Sequence, residues 1–217
     1  MSFKAMIFDA SGTILDDIEA VWRANAMAYE SFGIEGVNTL EAFKAKFKLP
    51  IQKFHTSNGI PPDRVIDVDC KFREYYPRFA QKVDIFPEVK EVLRELQKKG
   101  ILMGIASNIP RLFLAEHLSK FEITSYFDVI TGQEDCSEQK PSPKPVIATV
   151  NKLGIKSSEA IFIGDMEEDI IAGKAAGVMT AAIVRDKSYH PRWRLEKQKP
   201  DYFISSLWEL MTILSSS

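Results

Sequence analysis

Asp9 has the setting of a reactive group. It closes the short apolar run Ala5 to Phe8 and is followed closely by Ser11, Gly12 and Thr13. An unbroken apolar run of that length fits a strand buried on both faces of a parallel sheet. An acid where such a strand leaves the sheet stands where open α/β folds keep their chemistry, outside the carboxyl ends of the strands. Asp and Gly also make ordinary turns, so this stretch alone leaves both readings open.

Other strand ends carry complementary groups. The apolar run Ile101 to Ala106 ends in Ser107-Asn108, and a later loop holds Lys140-Pro141. The run Ala160 to Ile163 ends in Gly164-Asp165, with Glu167, Glu168 and Asp169 just beyond. Brought to one crevice, these residues supply a carboxylate nucleophile, hydroxyl and amide donors, a lysine and a second acidic cluster. Such a cluster suits a hard cation such as Mg²⁺, which prefers oxygen ligands. Transfer of a phosphoryl group needs that set. The carboxylate attacks phosphorus, cations reduce the repulsion between two anions, and donors hold the equatorial oxygens. Simpler roles exist for each part. Asp165 and Asp169 are also acids at a helix N-terminus, Ser107-Asn108 is also a helix cap, and Lys144 rivals Lys140.

The elements that must position these groups alternate. From Val89 onward, helices at 89–99, 112–121, 145–153, 167–176 and 207–214 interleave with strands at 101–106, 127–131, 160–163, 178–184 and 202–204. Alternation of this kind predicts a doubly wound α/β domain with a parallel sheet and right-handed crossovers. Residues 18–82 read differently, as a helical block with helices at 18–32, 40–47 and 64–82 and an uncertain stretch at 54–59. The expected division is a core of 1–17 and 83–217 interrupted by a helical domain of 18–82. The aromatic stripe Trp22, Tyr75, Tyr76 and Phe79 is read as the core of that insertion.

Composition narrows the function classes. The 217 residues are 45% apolar and 27% charged with a net charge of -2, a soluble globular balance that offers no field for nucleic acid or an anionic membrane. No apolar stretch reaches the ~18 residues of a membrane span, and no secretory leader is evident. Cys70 and Cys136 are read as free thiols, consistent with a cytoplasmic setting. His55, His117 and His190 receive no role. The basic stretch from Arg185 through Arg192 and Arg194 to Lys199 is read as a solvated loop or an oligomer contact; a monomer or homodimer is expected.

In order and spacing, FDASGTILD (8–16), ASN (106–108), KPSPKP (140–145) and IGDMEED (163–169) resemble the haloacid dehalogenase-like hydrolases. The resemblance spans the chain and is similar to the phosphoglycolate phosphatase and phosphonatase branches. It implies a Rossmann-like core with a helical cap and a small phosphorylated substrate. Asp9 would be the nucleophile, forming an aspartyl-phosphate, with Thr13 supporting its loop. Ser107, Asn108, Gly12 and Lys140 would contact the phosphoryl group. Mg²⁺ would lie among Asp9, the Ser11 carbonyl, Asp165 and Asp169, with Glu168 as an alternative to Asp169. The departure is Ser11. Family phosphatases place there an Asp that protonates the leaving group and then activates water, and a serine hydroxyl cannot do this near neutral pH. Three alternatives follow: a C–P hydrolase resembling phosphonoacetaldehyde hydrolase, a haloacid dehalogenase, or a phosphate-binding protein with little turnover.

Overall fold

The computed structural model describes residues 3–35 and 37–215. The strands are β1 (Ala5–Phe8), β2 (Leu15–Asp16), β3 (Asp84–Ile85), β4 (Leu102–Ala106), β5 (Val129–Thr131), β6 (Ala160–Gly164), β7 (Met179–Ile183) and β8 (Tyr202–Ile204). Six of them form one sheet in the order β5-β4-β1-β6-β7-β8, and β2 pairs with β3. Within the large sheet the pairings are parallel. The chain steps outward from β1 through β4 to β5, then returns to the other side of β1 with β6. Strand order therefore reverses at β1, and a crevice opens there at the carboxyl ends of β1, β4 and β6.

Contacts divide the chain into two compact units, one of residues up to Leu15 and from Ile85 onward, the other Asp16–Asp84. The first unit holds the large sheet. The helices of the second are α1 (Ile18–Glu30), α2 (Leu40–Lys46), α3 (Ile51–Ser57), α4 (Val65–Tyr75) and α5 (Pro77–Ala80). The single helix expected over 64–82 is divided, because Pro77 has no N–H to continue the ladder. Around the sheet lie α6 (Val89–Lys98), α7 (Arg111–Lys120), α8 (Lys144–Leu153), α9 (Glu167–Ala175), α10 (Arg192–Lys197) and α11 (Glu209–Ser215).

The sheet is apolar on both faces. Beneath α8 and α9, Ile7, Ala106, Val146, Val150 and Phe162 form a buried cluster, each large side chain contributing about 1.5–3 kcal/mol. At Gly104 the approach of α8 is so close that a Cβ would lie 2.5 Å from Thr149 Cγ2. The Thr149 hydroxyl meets Thr131 Oγ1 at 2.9 Å and lies 2.9 Å from the Pro145 carbonyl. This seat fixes the start of α8, and with it the loop that carries Lys140.

Of the expected stripe, Tyr76 is buried in the 16–84 unit, which packs chiefly around other aromatics. Tyr29, Phe43 and Phe54 are fully buried, whereas Trp22, Tyr75 and Phe79 are only half-buried. Phe43, Phe47 and Phe54 lie with ring centroids 4.7–5.6 Å apart. His55 is enclosed with them, its Nδ1 2.9 Å from Tyr29 Oη and its Nε2 3.3 Å from Asp69. Burial, and secondarily the Asp69 charge, push the Tyr29 phenol well above its ordinary value.

Candidate active site

Sheet register brings the strand ends together. Phe8 is level with Ile105 on one side and Ile163 on the other. Asp9, one residue beyond that level, and Ser107 and Asp165, two residues beyond it, therefore emerge at one edge of the sheet. Asp9 N donates to the Ile163 carbonyl at 2.8 Å, and Ser107 N to that of Thr131 at 3.0 Å.

Lys140 lies at the centre. Its side chain is 1% exposed, and its Nζ is 2.7 Å from both Asp9 Oδ1 and Asp169 Oδ1. Burial alone would lower its pKa, but the charges of Asp169 and Asp9 outweigh burial and hold it above the ordinary lysine value. Asp169 shares this one cation with Asp9. Burial therefore prevails over the lysine, with the Asp9 charge adding to it, and the Asp169 carboxyl is pushed up to about 6. Its other oxygen accepts from Met166 N at 3.0 Å. Asp165 is buried beside them, and one carboxylate oxygen from each of Asp9, Asp165 and Asp169 lies within 4.8 Å of the others.

Two glycines let the backbone come this close. Gly12 has φ +70, and a Cβ there would lie 2.3 Å from Asp165 Oδ2. At Gly164 a Cβ would lie 2.4 Å from Asp169. Neither position tolerates a side chain while the acids keep their places.

The remaining sequence candidates take distinct positions. Ser107 is buried, with Oγ accepting from Ile109 N at 3.2 Å. The Asn108 side chain grips the backbone of Lys140, Oδ1 accepting from Lys140 N at 3.0 Å and Nδ2 donating to its carbonyl at 3.1 Å. Asn108 thus fixes the lysine loop, which strand-end patterning does not reveal. Thr13 is buried, and its hydroxyl has no hydrogen-bond partner among the described residues. Ser11 makes a bridge with Leu15 in the same loop. Glu168 groups not with Asp9 but with Glu167 and His190.

Sequence reasoning missed the segment after β7. Arg185 and Arg194, read as part of a solvated basic stretch, have side chains only 10% and 12% exposed. Arg194 contacts Glu167, and that guanidinium outweighs burial to hold the Glu167 carboxyl below its usual range. Residues 192–197 are helix α10, seated by the buried Leu195. Tyr189 N donates to Asp165 Oδ2 at 2.6 Å, and Glu167 N donates to His190 Nδ1 at 3.1 Å. The only signal was local: Ser188, Tyr189 and His190 interrupt the basic run and are all buried.

The donor set fits a divalent cation. Three buried carboxylates gather around the one Lys140 ammonium, and crowding buried acids in this way is costly. Hard oxygen donors are also the ligand type that Mg²⁺ takes.

No helix among the described residues is long and apolar enough to cross a membrane. Residues 6–183 match the family model for haloacid dehalogenase-like hydrolase. The chain is 29% identical over 221 residues to the pyrophosphatase PpaX of Oceanobacillus iheyensis, covering 100% of this chain and 99% of that protein. It is 30% identical over 173 residues to the phosphoglycolate phosphatase of Escherichia coli O157:H7, covering 79% of this chain and 68% of that one. A solved haloacid dehalogenase-like family hydrolase from Streptococcus pneumoniae superposes with a TM-score of 0.83 at 19% identity, covering 97% and 98% of the two chains. With the family match extending over most of its length, the chain belongs to the haloacid dehalogenase-like hydrolases.

Proposed function

We propose that the chain is a Mg²⁺-dependent phosphatase of a small phosphorylated metabolite, working through an aspartyl-phosphate on Asp9. The observation that carries this reading is the single lysine shared at 2.7 Å by two buried carboxylates at the mouth of the sheet. Asp9, the Ser11 carbonyl, Asp165 and Asp169 would hold the cation, which supplies charge neutralisation for an anionic substrate.

The chain's own groups account for the rest. Lys140 orients one Asp9 oxygen and leaves the other to attack phosphorus. As the new P–O bond forms, the bond to the leaving oxygen breaks and its electron pair departs with that oxygen. Ser107 and the Asn108 backbone N–H hold phosphoryl oxygens. Water then attacks the aspartyl-phosphate, releasing phosphate and restoring Asp9. The 16–84 unit is read as the cap that selects substrate.

Ser11 sets the preference among substrates. Without an acid there, an alkoxide must leave unprotonated, at a cost of about 10²–10⁴ in rate. Leaving groups that are weak bases bear this best: a phosphate leaving from a phosphoanhydride, a carboxylate from an acyl phosphate, or a phenolate. Pyrophosphate, named for the Oceanobacillus relative, is such a substrate and belongs in the assay.

The test is phosphate release from an activated aryl phosphate and from pyrophosphate with Mg²⁺, comparing wild type with Asp9→Asn and Ser11→Asp. Asp9→Asn is expected to abolish release, and Ser11→Asp to raise turnover of unactivated alkyl esters. Release that survives Asp9→Asn refutes the reading. Chloride release from a 2-haloacid without metal would point instead to dehalogenation.

A further inference from the structure

The loop that carries Asp9 satisfies most of its own backbone. The Ala10 carbonyl accepts from the N–H groups of Thr13, Ile14 and Leu15 at 2.8–3.3 Å, and Gly12 N donates to the Leu15 carbonyl at 2.8 Å. The carbonyls of Gly12 and Thr13 take a donor from outside the loop, as a buried carbonyl must. Arg185 Nη1 supplies it, at 2.9 Å from the Thr13 oxygen and 3.3 Å from the Gly12 oxygen. The guanidinium is itself fixed from the far side. Its Nη2 contacts Glu88, its Cζ lies 3.9 Å from the centroid of the Phe86 ring, and Phe86 N donates to the Ile14 carbonyl at 3.1 Å. Planarity matters here: a fork of donors can hold two carbonyls and a carboxylate at once, which a lysine cannot.

The same short segment ends at the acidic loop, where Tyr189 N meets Asp165. One connection after β7 therefore touches both the nucleophile loop and an acid that faces it across Gly12.

We infer that Arg185 is a positioning residue of the active site, locking the Gly12-Thr13 turn so that Asp9 keeps its place against Lys140 and Asp165. The inference rests on the proposed role of Asp9. It goes further by assigning a determinant of turnover remote from the reacting atoms. A displacement of about 1 Å in such a loop is enough to lower turnover ~10²-fold.

The experiment uses the full chain with Arg185→Met and Glu88→Gln combined, so that no buried carboxylate is orphaned, and Arg185→Lys beside it. Hydrolysis of an aryl phosphate with Mg²⁺ is expected to show kcat lowered ~10²-fold in the double variant, with KM changed less than ~3-fold and an unchanged far-UV spectrum. Amide exchange over 12–15 should rise at least ~10-fold in it. Arg185→Lys should fall between the two in both measurements. A purely structural arginine would lower melting temperature while leaving kcat per folded molecule and loop exchange at wild-type values, and that result overturns the inference. If the double variant does not fold, Arg185→Lys decides: wild-type kcat and exchange refute the role, and intermediate values support it. If the wild type releases no phosphate from any substrate, the phosphatase reading fails; loop exchange alone then decides, and unchanged exchange overturns the inference.

Discussion

Replacing Lys140 by methionine probes the electrostatics of the site directly. Methionine keeps much of the volume but removes the ammonium that Asp9 and Asp169 share at 2.7 Å. Deleting one partner of a buried ion pair costs about 3–5 kcal/mol, because the other partner stays buried and charged. At about 2–4 °C per kcal/mol for a chain of this size, the metal-free variant should melt about 6–20 °C below wild type near neutral pH. The deficit depends on pH, with a defined sign. The Asp169 carboxyl is already pushed up to about 6 in the wild type. Between about pH 4 and pH 6 the folded chain therefore holds a proton that the unfolded chain releases, so stability falls as pH rises through that window. Without Lys140 the carboxyl rises further. The deficit should shrink at about pH 4.5, where Asp169 is protonated in both proteins, and widen near pH 7.5. Mg²⁺ adds a second handle. At a concentration of 100 Kd a ligand stabilises by about 2.7 kcal/mol, and carboxylates deprived of Lys140 should gain more from it than the wild type does. The assay is thermal melting in chelator and in Mg²⁺ at both pH values. A metal-free variant that melts within about 2 °C of wild type near pH 7.5 would refute the reasoning, as would a deficit that does not shrink in acid.

Gly12→Ala places a Cβ 2.3 Å from Asp165 at a residue with φ +70. It should destabilise by at least about 2 kcal/mol and weaken Mg²⁺ binding measured by calorimetry. Asn108→Ala strips the backbone of Lys140 of both its partners. It should cost about 1–3 kcal/mol in denaturant unfolding and lower kcat more than it raises KM. His117 is held neutral down to about 4, first by burial and then by the Lys120 charge. Its folded value lies below its unfolded one, so its contribution is complete above about pH 6.5 and is lost as pH falls toward 4, a drop of about 2 kcal/mol after allowance for solvent screening. His117→Gln should flatten that part of the stability profile.

The strand ends were legible because two simple regularities set them. Apolar runs mark buried parallel strands, and parallel register keeps their carboxyl ends level, so Asp9, Ser107 and Asp165 could be paired from spacing alone. The β2–β3 pairing was not legible, because two-residue strands leave no periodicity to detect. Helix α10 was read as loop because its six residues, RWRLEK, present three basic groups and one buried leucine. Arg185, and the hold of the Asn108 side chain on the lysine loop, escaped for another reason: each acts on a backbone group far away in sequence, and nothing in the sequence records a carbonyl in need of a donor. Tyr189 escaped because it acts through its own backbone N–H on the Asp165 carboxylate. Of the aromatic stripe read into the 16–84 unit only Tyr76 is buried, while Trp22, Tyr75 and Phe79 are half-buried, since helical spacing defines a stripe but not how deeply it is covered.

The pairing of β2 with β3 carries an evolutionary consequence. It holds the entry and exit of the 16–84 segment on adjacent strands, about 5 Å apart, while every charged group of the candidate site belongs to the other unit. A segment tethered at two neighbouring points is separable from its host. Gene-level exchange of that segment for any domain whose ends meet leaves the buried carboxylates and their lysine untouched.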